Sequence, residues 1–471
     1  MADEYDLAII GAGSAGLTAA GFAAQLGVRL VLLEENRTGG DCTWTGCVPS
    51  KTLLKTARLA HQMGKADGYG LKTVNQKVDI KEVMAHIKEV IAGVYEEESP
   101  EALLADGIET LIGRVRFVDA NTVTVEDTQI EAHRFLIATG ARPFAPPVSG
   151  LDGINYLTYE TVWDMDELPE RLLVMGAGPI GCEMAQAFSR LGSQVSLIEA
   201  GDRALPRDDR DASEAIAAVF ESEGIDLYFN TAIEKARQDG DGIHLSSGDK
   251  VITGDALLVA TGRRPNVDNM DLEKAGVEYN TAGIKVDGQL RTSQKHIYAA
   301  GDCAGGYQFT HYAGWQAAIA VRNALLPGST SGIRERVPWT TFTDPEVAHC
   351  GLNETQAREQ FGESVMTCNW PMEKVDRALA EGDNSGFLKL VHKKDGTLLG
   401  ATIVCARAGE VIHEWITALE CGLKVDNMAE MIHIYPTYSV AGQQAAADIR
   451  MAKLLDGVSG RFIRGAARLM R

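Results

Sequence analysis

The sequence predicts an α/β protein in which two doubly wound nucleotide-binding units are followed by a C-terminal α+β domain. Three observations carry that expectation. A glycine-rich turn between an apolar run and a helix-like stretch occurs twice, beginning at Gly11 and at Gly176. Each turn is followed, 23 residues after its first glycine, by an acid closing a second apolar run. Beyond about Pro338 the pattern changes to short apolar segments alternating with helix-like ones.

The first unit reads Leu7 to Ile10 as a strand, then Gly11-Ala12-Gly13-Ser14-Ala15-Gly16, then an alanine-rich helix to about Gln25, then a strand from Val28 to Leu33 ending at Glu34-Glu35. The first glycine of such a turn permits a tight bend, the second lets backbone amides approach a pyrophosphate, and the third lets helix and strand pack closely. The helix N-terminus adds positive potential, and the acid can bond a ribose hydroxyl. The second unit repeats this with Leu172 to Met175, Gly176-Ala177-Gly178-Pro179-Ile180-Gly181, a helix from about Cys182 to Leu191, a strand from Val195 to Ile198, and Glu199. One such turn alone is weak; two in full strand–turn–helix context imply two dinucleotides. Ala138-Thr139-Gly140 and Ala260-Thr261-Gly262 each end a strand-like run downstream, and Pro143 to Pro147 reads as a boundary.

The 471 residues carry a formal charge of −20, so the surface repels polyanions and nucleic acid is not an expected partner. The sequence before Gly11 contains no basic, apolar leader pattern, and no run approaches the roughly 18 apolar residues of a spanning helix. A cytoplasmic location is the expectation. Of eight cysteines, six are scattered and read as buried thiols. Cys42 and Cys47 differ, in Gly39-Gly40-Asp41-Cys42-Thr43-Trp44-Thr45-Gly46-Cys47-Val48-Pro49-Ser50-Lys51. On a regular helix their Cα atoms would sit beyond the ~7 Å a disulfide tolerates; the break at Gly46 lets the turn distort, and a tense bond would be readily reduced. Lys51, one turn past Cys47, can stabilise a thiolate. Two separate thiols or half a metal site are the alternatives; no second cysteine pair has zinc spacing, so no metal site is expected.

These residues resemble the class I flavin-dependent pyridine nucleotide-disulfide oxidoreductases, the family of glutathione reductase, dihydrolipoyl dehydrogenase and mercuric reductase. The likeness extends from the Gly11 turn through Val48-Pro49-Ser50-Lys51, Glu183, Arg263-Arg264-Pro265-Asn266 and Ala300-Gly301-Asp302 to Phe342-Thr343-Asp344-Pro345-Glu346. The resemblance implies two FAD/NAD(P)-binding Rossmann-like domains plus a C-terminal α+β dimerisation domain. The boundaries expected are 1–148 and 271–336 for the FAD-binding parts, 149–270 for the NAD(P)-binding domain, 337–448 for dimerisation and 449–471 for a tail. FAD would lie on Gly11, Gly13, Ser14, Gly16, Glu34, Glu35, Gly40, Val115, Thr139, Gly140 and His311, with Lys51 near the isoalloxazine and Asp302 at the ribityl chain. The nicotinamide cofactor would lie on Gly176, Gly178, Ile180, Gly181, Glu199, Gly262 and Arg263, with Glu183 near the nicotinamide. NADH is expected over NADPH, because the Glu199 carboxylate repels a 2′-phosphate and Ala200 and Gly201 offer no cation, although Arg203 is close by. Electrons would pass from NADH to flavin to the Cys42–Cys47 disulfide, with Cys47 the flavin-side thiol and Cys42 the interchange thiol.

One segment departs from the disulfide reductases. They place a His–Glu pair where this chain has Tyr435 and Val440, in His433-Ile434-Tyr435-Pro436-Thr437-Tyr438-Ser439-Val440. A phenol of pKa near 10 is a poor base at neutral pH. Mercuric reductases also carry Tyr there, but their C-terminal cysteine pair is missing, since the last cysteine is Cys421, and their extra N-terminal metal-binding domain is not expected. The expectation is a homodimeric, mercuric-reductase-like enzyme acting on a small-molecule or metal-ion acceptor. The alternatives are a dihydrolipoyl dehydrogenase whose base is displaced to His433, and a flavin electron-transfer subunit docking to a membrane partner. Residues 450–471 hold six basic residues against the single acid Asp456, with a rough apolar stripe interrupted by Gly457 and Gly460. That is the pattern of a basic amphipathic helix that lies on a membrane or partner, or packs on the protein's own acidic surface.

Overall fold

The computed structural model describes residues 3–74 and 77–470. The chain forms two compact bodies, one of Met1–Gly176, Arg190–Val195 and Ile233–Glu335, the other of Ala177–Ser189, Ser196–Ala232 and Arg336–Arg471.

The first body is built on a parallel sheet whose strands lie in the order Ile297–Ala299, Phe135–Ile137, Leu7–Ile10, Leu30–Glu34, Glu109–Ile112. A parallel sheet is covered on both faces, so its inner strands are apolar runs, while the edge strand Glu109–Ile112 is partly exposed. Successive side chains alternate between the faces. Leu7, Ile9, Leu30, Leu32 and Leu136 join one core with the alanines of helices Ser14–Gln25 and Thr310–Leu325. Ala8, Ile10, Val31, Leu33, Phe135 and Ile137 join another with Val115, Phe117, Val123 and Ile130. Those last residues belong to a small sheet ordered Asp3–Tyr5, Thr128–Ala132, Thr122–Val125, Val115–Phe117. The expected strand from Val28 begins two residues later, at Leu30. The same body carries the parallel pair Arg171–Met175 and Ala256–Val259, and an antiparallel three-stranded sheet from Lys235 to Gly254.

The second body carries an antiparallel sheet in the order Trp339–Thr341, Glu346–Gly351, Leu398–Cys405, Phe387–Lys393, Val365–Pro371. Helices Ala408–Glu420 and Val440–Leu455 cover it around fully buried Trp415. Helix Arg210–Ser222 is fastened there through charge. Lys389, 3% exposed in the sheet, meets Glu354 at 2.7 Å, Asp211 at 2.9 Å and Asp209 at 3.5 Å, and Thr402 donates to Asp209 at 2.6 Å. A buried ammonium needs such partners, since desolvating it alone costs several kcal/mol. Helix Val440–Leu455 runs through residue 449, so the tail boundary expected there lies inside it, and a second helix, Gly457–Leu469, follows. Among the described residues no helix is long and apolar enough to cross a membrane.

Candidate functional site

The first glycine turn is built as its sequence requires. Gly11 adopts φ +101°, and a Cβ there would lie 2.4 Å from the Ala138 carbonyl oxygen. A Cβ on Gly16 would lie 1.8 Å from the Gly11 oxygen, so helix Ser14–Gln25 rests directly on the turn. Glu34 closes the second strand, and its carboxylate accepts the amides of Ala12 at 2.8 Å and Asn36 at 2.9 Å. Each carboxylate oxygen keeps lone-pair capacity for a ribose hydroxyl. Gly39 and Gly40 then return onto the turn. The Gly39 amide donates to the Ala12 carbonyl at 2.9 Å, and a Cβ on Gly40, at φ +60°, would lie 2.5 Å from the Gly13 Cα. Bare backbone at Gly11, Gly13 and Gly40 beside a helix N-terminus is a cradle that any side chain would fill, and it suits the pyrophosphate of FAD.

The cysteine segment follows at once. Helix Gly40–Trp44 ends where the Thr45 amide donates to the Asp41 carbonyl at 2.9 Å and the Gly46 amide to the same oxygen. Helix Cys47–Gly64 starts after this break. The break brings Cys42 and Cys47 within hydrogen-bonding reach of each other, as a dithiol. The Cys47 hydrogen bond, followed by burial and the Cys47 charge, raises the Cys42 thiol far above its ordinary range, while Thr310 and Ser14 pull it down. The Cys47 sulfur lies 3.2 Å from the Thr310 hydroxyl, at the start of helix Thr310–Leu325. Lys51 is half-buried and donates to the Ser50 hydroxyl at 3.4 Å.

Sequence reasoning missed what holds this segment. Arg263 donates to Asp302 at 2.5 Å, to Asp41, and to the Tyr159 hydroxyl at 3.1 Å, and Tyr159 in turn donates to Asp41 at 3.2 Å. Trp163 Nε1 caps the Thr45 carbonyl at 3.0 Å. Burial alone lowers the Arg263 pKa, but Asp302, Tyr159 and Asp41 together raise it. Burial raises the Asp302 carboxyl against the pull of Arg263. Asp41 and Thr310 had one signal available, adjacency to Cys42 and to His311; Tyr159 and Trp163 had none. The Thr139 hydroxyl donates to the Asn266 carbonyl at 2.7 Å, and the Asn266 amide to Gly140 at 2.9 Å. Gly262, at φ +138°, accepts the Phe144 amide at 3.0 Å. Glu35 pairs with Arg114 at 3.1 Å on the surface. Val115 is buried opposite Val125, and His311 stacks on Phe309 at 5.3 Å.

The second turn repeats the first. Gly176 has φ +106°, and its Cβ would lie 2.5 Å from the Ala260 oxygen. Glu199 accepts Ala177 and Gly201 amides, both at 2.8 Å. A Cβ on Gly178 would meet nothing within 4 Å. Helix Pro179–Leu191 begins with Pro179 and Ile180, and Pro at the first helical position lacks only an amide that has no partner there anyway. Gly181 lies within its first turn. Glu183, 5% exposed, accepts the Phe342 amide at 2.9 Å, and Gln186 bonds both the amide and carbonyl of Asp344, at 2.7 and 2.8 Å. Arg203 is turned toward Asp202 at 3.2 Å and the Pro206 carbonyl at 2.9 Å.

In the C-terminal domain the Tyr435 hydroxyl donates to Asp376 at 2.5 Å, which raises the phenol above its ordinary value. His433 sits 3.0 Å from Glu414 through Nε2 and 3.4 Å from the Met431 carbonyl through Nδ1. Both partners are acceptors, so a neutral imidazole donates to one of them and keeps its lone pair on the other nitrogen. Val440 opens helix Val440–Leu455.

Comparison with known proteins agrees with this geometry. Residues 5–317 match the family model of pyridine nucleotide-disulphide oxidoreductases, and residues 337–446 match the dimerisation domain of that family. A mercuric reductase of Bacillus cereus is 37% identical over 440 residues, 92% of this chain and 70% of that protein. A dihydrolipoyl dehydrogenase of Thermus scotoductus is 34% identical over 461 residues, 94% of this chain and 96% of that protein. Among solved structures, the HOCl-induced flavoprotein disulfide reductase RclA from Escherichia coli superposes with a TM-score of 0.86 at 29% identity, covering 94% of this chain and 99% of its own; its Cu(II) complex superposes with a TM-score of 0.85 at the same identity and coverage. The chain therefore belongs to the pyridine nucleotide-disulphide oxidoreductase family, as an NAD(P)H-dependent flavoprotein with Rossmann-like nucleotide-binding domains and a C-terminal dimerisation domain.

Proposed function

We propose that this protein is a homodimeric, NADH-oxidising reductase that delivers electrons from the Cys42–Cys47 pair to a metal ion, or to another acceptor that needs no histidine-borne proton. The observation that carries this reading is Tyr435. Its hydroxyl is committed as donor to Asp376, with its pKa raised, in the position where disulfide reductases keep an imidazole. Thiol–disulfide exchange needs a base that turns over near neutral pH, and a phenol held to a carboxylate is not one.

Bound FAD supplies the two-electron relay between nicotinamide and thiols. The chain's own residues hold and tune that relay. Thr310 holds the Cys47 sulfur in register, and Cys42, hydrogen-bonded to Cys47, serves as the interchange thiol. Arg263 ties Asp302, at the ribityl position, to Asp41, one residue before Cys42, so flavin and thiols stay in fixed register. Glu199 supports NADH, because its carboxylate repels a 2′-phosphate and Arg203 is engaged elsewhere. Two residues of the Tyr435 segment, Ile432 and Ile434, are 100% and 82% exposed in the single chain, which suits burial in a dimer.

The test is NADH-driven turnover of the flavin-loaded protein on lipoamide, glutathione disulfide, Hg(II), Cu(II) and quinones. Metal-ion or quinone turnover should exceed disulfide turnover by about 100-fold, the scale of a missing general base. Rapid lipoamide turnover that His433→Ala abolishes would instead make the protein a dihydrolipoyl dehydrogenase with a displaced base.

A further inference from the structure

The C-terminal segment divides at Asp456 into two helices with different fates. In helix Val440–Leu455 the cations are spent on the domain's own acids: Arg450 meets Glu430 at 2.8 Å and Lys453 meets Asp426 at 2.9 Å. Self-packing, one of the two outcomes open from sequence, therefore describes this half.

Helix Gly457–Leu469 is different. Arg461, Arg464 and Arg468 recur at i, i+3 and i+7 and so share one face; Phe462, Ala466 and Leu469 recur at i, i+4 and i+7 and share another. The helix holds no acid, in a chain of net charge −20. An acidic body should attract a basic helix, yet among the described residues none of these three arginines pairs with a carboxylate. Phe462, Leu469 and Met470 are 77%, 89% and 90% exposed, and Met451 and Leu454 on the preceding helix are exposed too. The junction is set by backbone, since a Cβ on Gly460 would lie 1.9 Å from the Leu455 oxygen. Arg471 lies outside the described residues.

We propose that helix Gly457–Leu469 is a peripheral docking element for an anionic lipid bilayer. An arginine face beside an apolar stripe suits a helix lying in the headgroup plane, with guanidinium groups at the phosphates and Phe462, Leu469 and Met470 at the acyl boundary. The complement is chemical: the helix offers cations and apolar surface together, and an anionic bilayer offers phosphates over hydrocarbon. The inference stands apart from the identity of the acceptor, because it rests on no residue of the redox site.

The experiment is flotation of the full-length, flavin-loaded protein with vesicles of phosphatidylglycerol mixed with phosphatidylcholine, and of phosphatidylcholine alone, at low and high salt. Three proteins are compared: wild type, Phe462→Ser/Leu469→Ser, and Arg461→Gln/Arg464→Gln/Arg468→Gln. Wild type should float only with the anionic vesicles and be released by salt. At about fivefold per arginine, the triple variant should lose about a hundredfold in partitioning. The serine variant should also lose binding. Both variants should keep wild-type NADH oxidation with a soluble acceptor, which shows that they fold. The proposal is overturned if wild type ignores the anionic vesicles, or if both variants float as wild type does. It is also overturned if the substitutions change the oligomeric mass while vesicle binding persists, since the helix then serves contact between copies of the chain.

Discussion

The two glycine turns are nearly superposable in their local chemistry and differ in what surrounds them. The first glycines share φ near +100°, at +101° and +106°, and their missing Cβ atoms would lie 2.4 and 2.5 Å from the equivalent carbonyls of Ala138 and Ala260. Each closing acid, Glu34 or Glu199, accepts the amide of the residue after the first glycine at 2.8 Å. Around the first turn, however, Gly39 and Gly40 close down on the backbone and lead straight into the thiols. The second turn has open space at Gly178. The same backbone device thus occurs twice, covered at the first turn and open at the second.

The largest test of that difference is a matched pair. Gly11→Ala forces a Cβ into the Ala138 carbonyl at positive φ, at a cost of roughly 3 kcal/mol or more. It should yield colourless protein without flavin absorbance. Gly176→Ala should keep the flavin and lose NADH oxidation. If both variants lose flavin, the two turns do not divide the cofactors. Next, Cys47→Ser should retain flavin and NADH binding while lowering acceptor reduction by more than about a thousandfold, measured as steady-state turnover. Retained turnover would separate the first turn from the thiols that follow it.

Glu199→Gln sharpens the comparison on the second side. Removing the carboxylate charge should raise the NADPH-to-NADH ratio of kcat/KM about tenfold, equivalent to roughly 1.4 kcal/mol. An unchanged ratio would move discrimination elsewhere, with Arg203 the nearest candidate. A last effect, on stability and not on turnover, belongs to the loop beyond Glu199, where burial pushes the Asp208 carboxyl up to about 7 despite the Trp339 indole donating to it at 2.9 Å. Because that value lies above the unfolded one, near 3.9, the group's contribution to stability is intact below about pH 4 and is lost as pH rises through about 7. Asp208→Asn should therefore match wild type near pH 4 and be more stable at pH 8 by up to roughly 4 kcal/mol, read as a higher Tm. A pH-independent difference would mean that Asp208 does not titrate across that range.

Both turns, the acids that close them and the cysteine segment were legible in the sequence because each is local: a glycine at positive φ, an acid at fixed spacing and a break between two cysteines leave marks within about 25 residues. The amphipathic C-terminal pattern was legible for the same reason. Its division at Asp456 was not, because Arg450 and Lys453 choose partners in other elements.

What the sequence alone determined is the set of parts: two glycine turns beginning at Gly11 and Gly176, each closed by an acid 23 residues on, a close pair at Cys42 and Cys47, and Tyr435 two residues after His433. What tertiary structure decided is how those parts are held. Arg263 reaches Asp41 across 222 positions, Thr310 reaches Cys47 across 263, and Phe342 reaches Glu183 across 159. Such contacts carry no period or spacing, since they depend on where folded elements happen to meet, and only the packed chain brings their atoms within hydrogen-bond range.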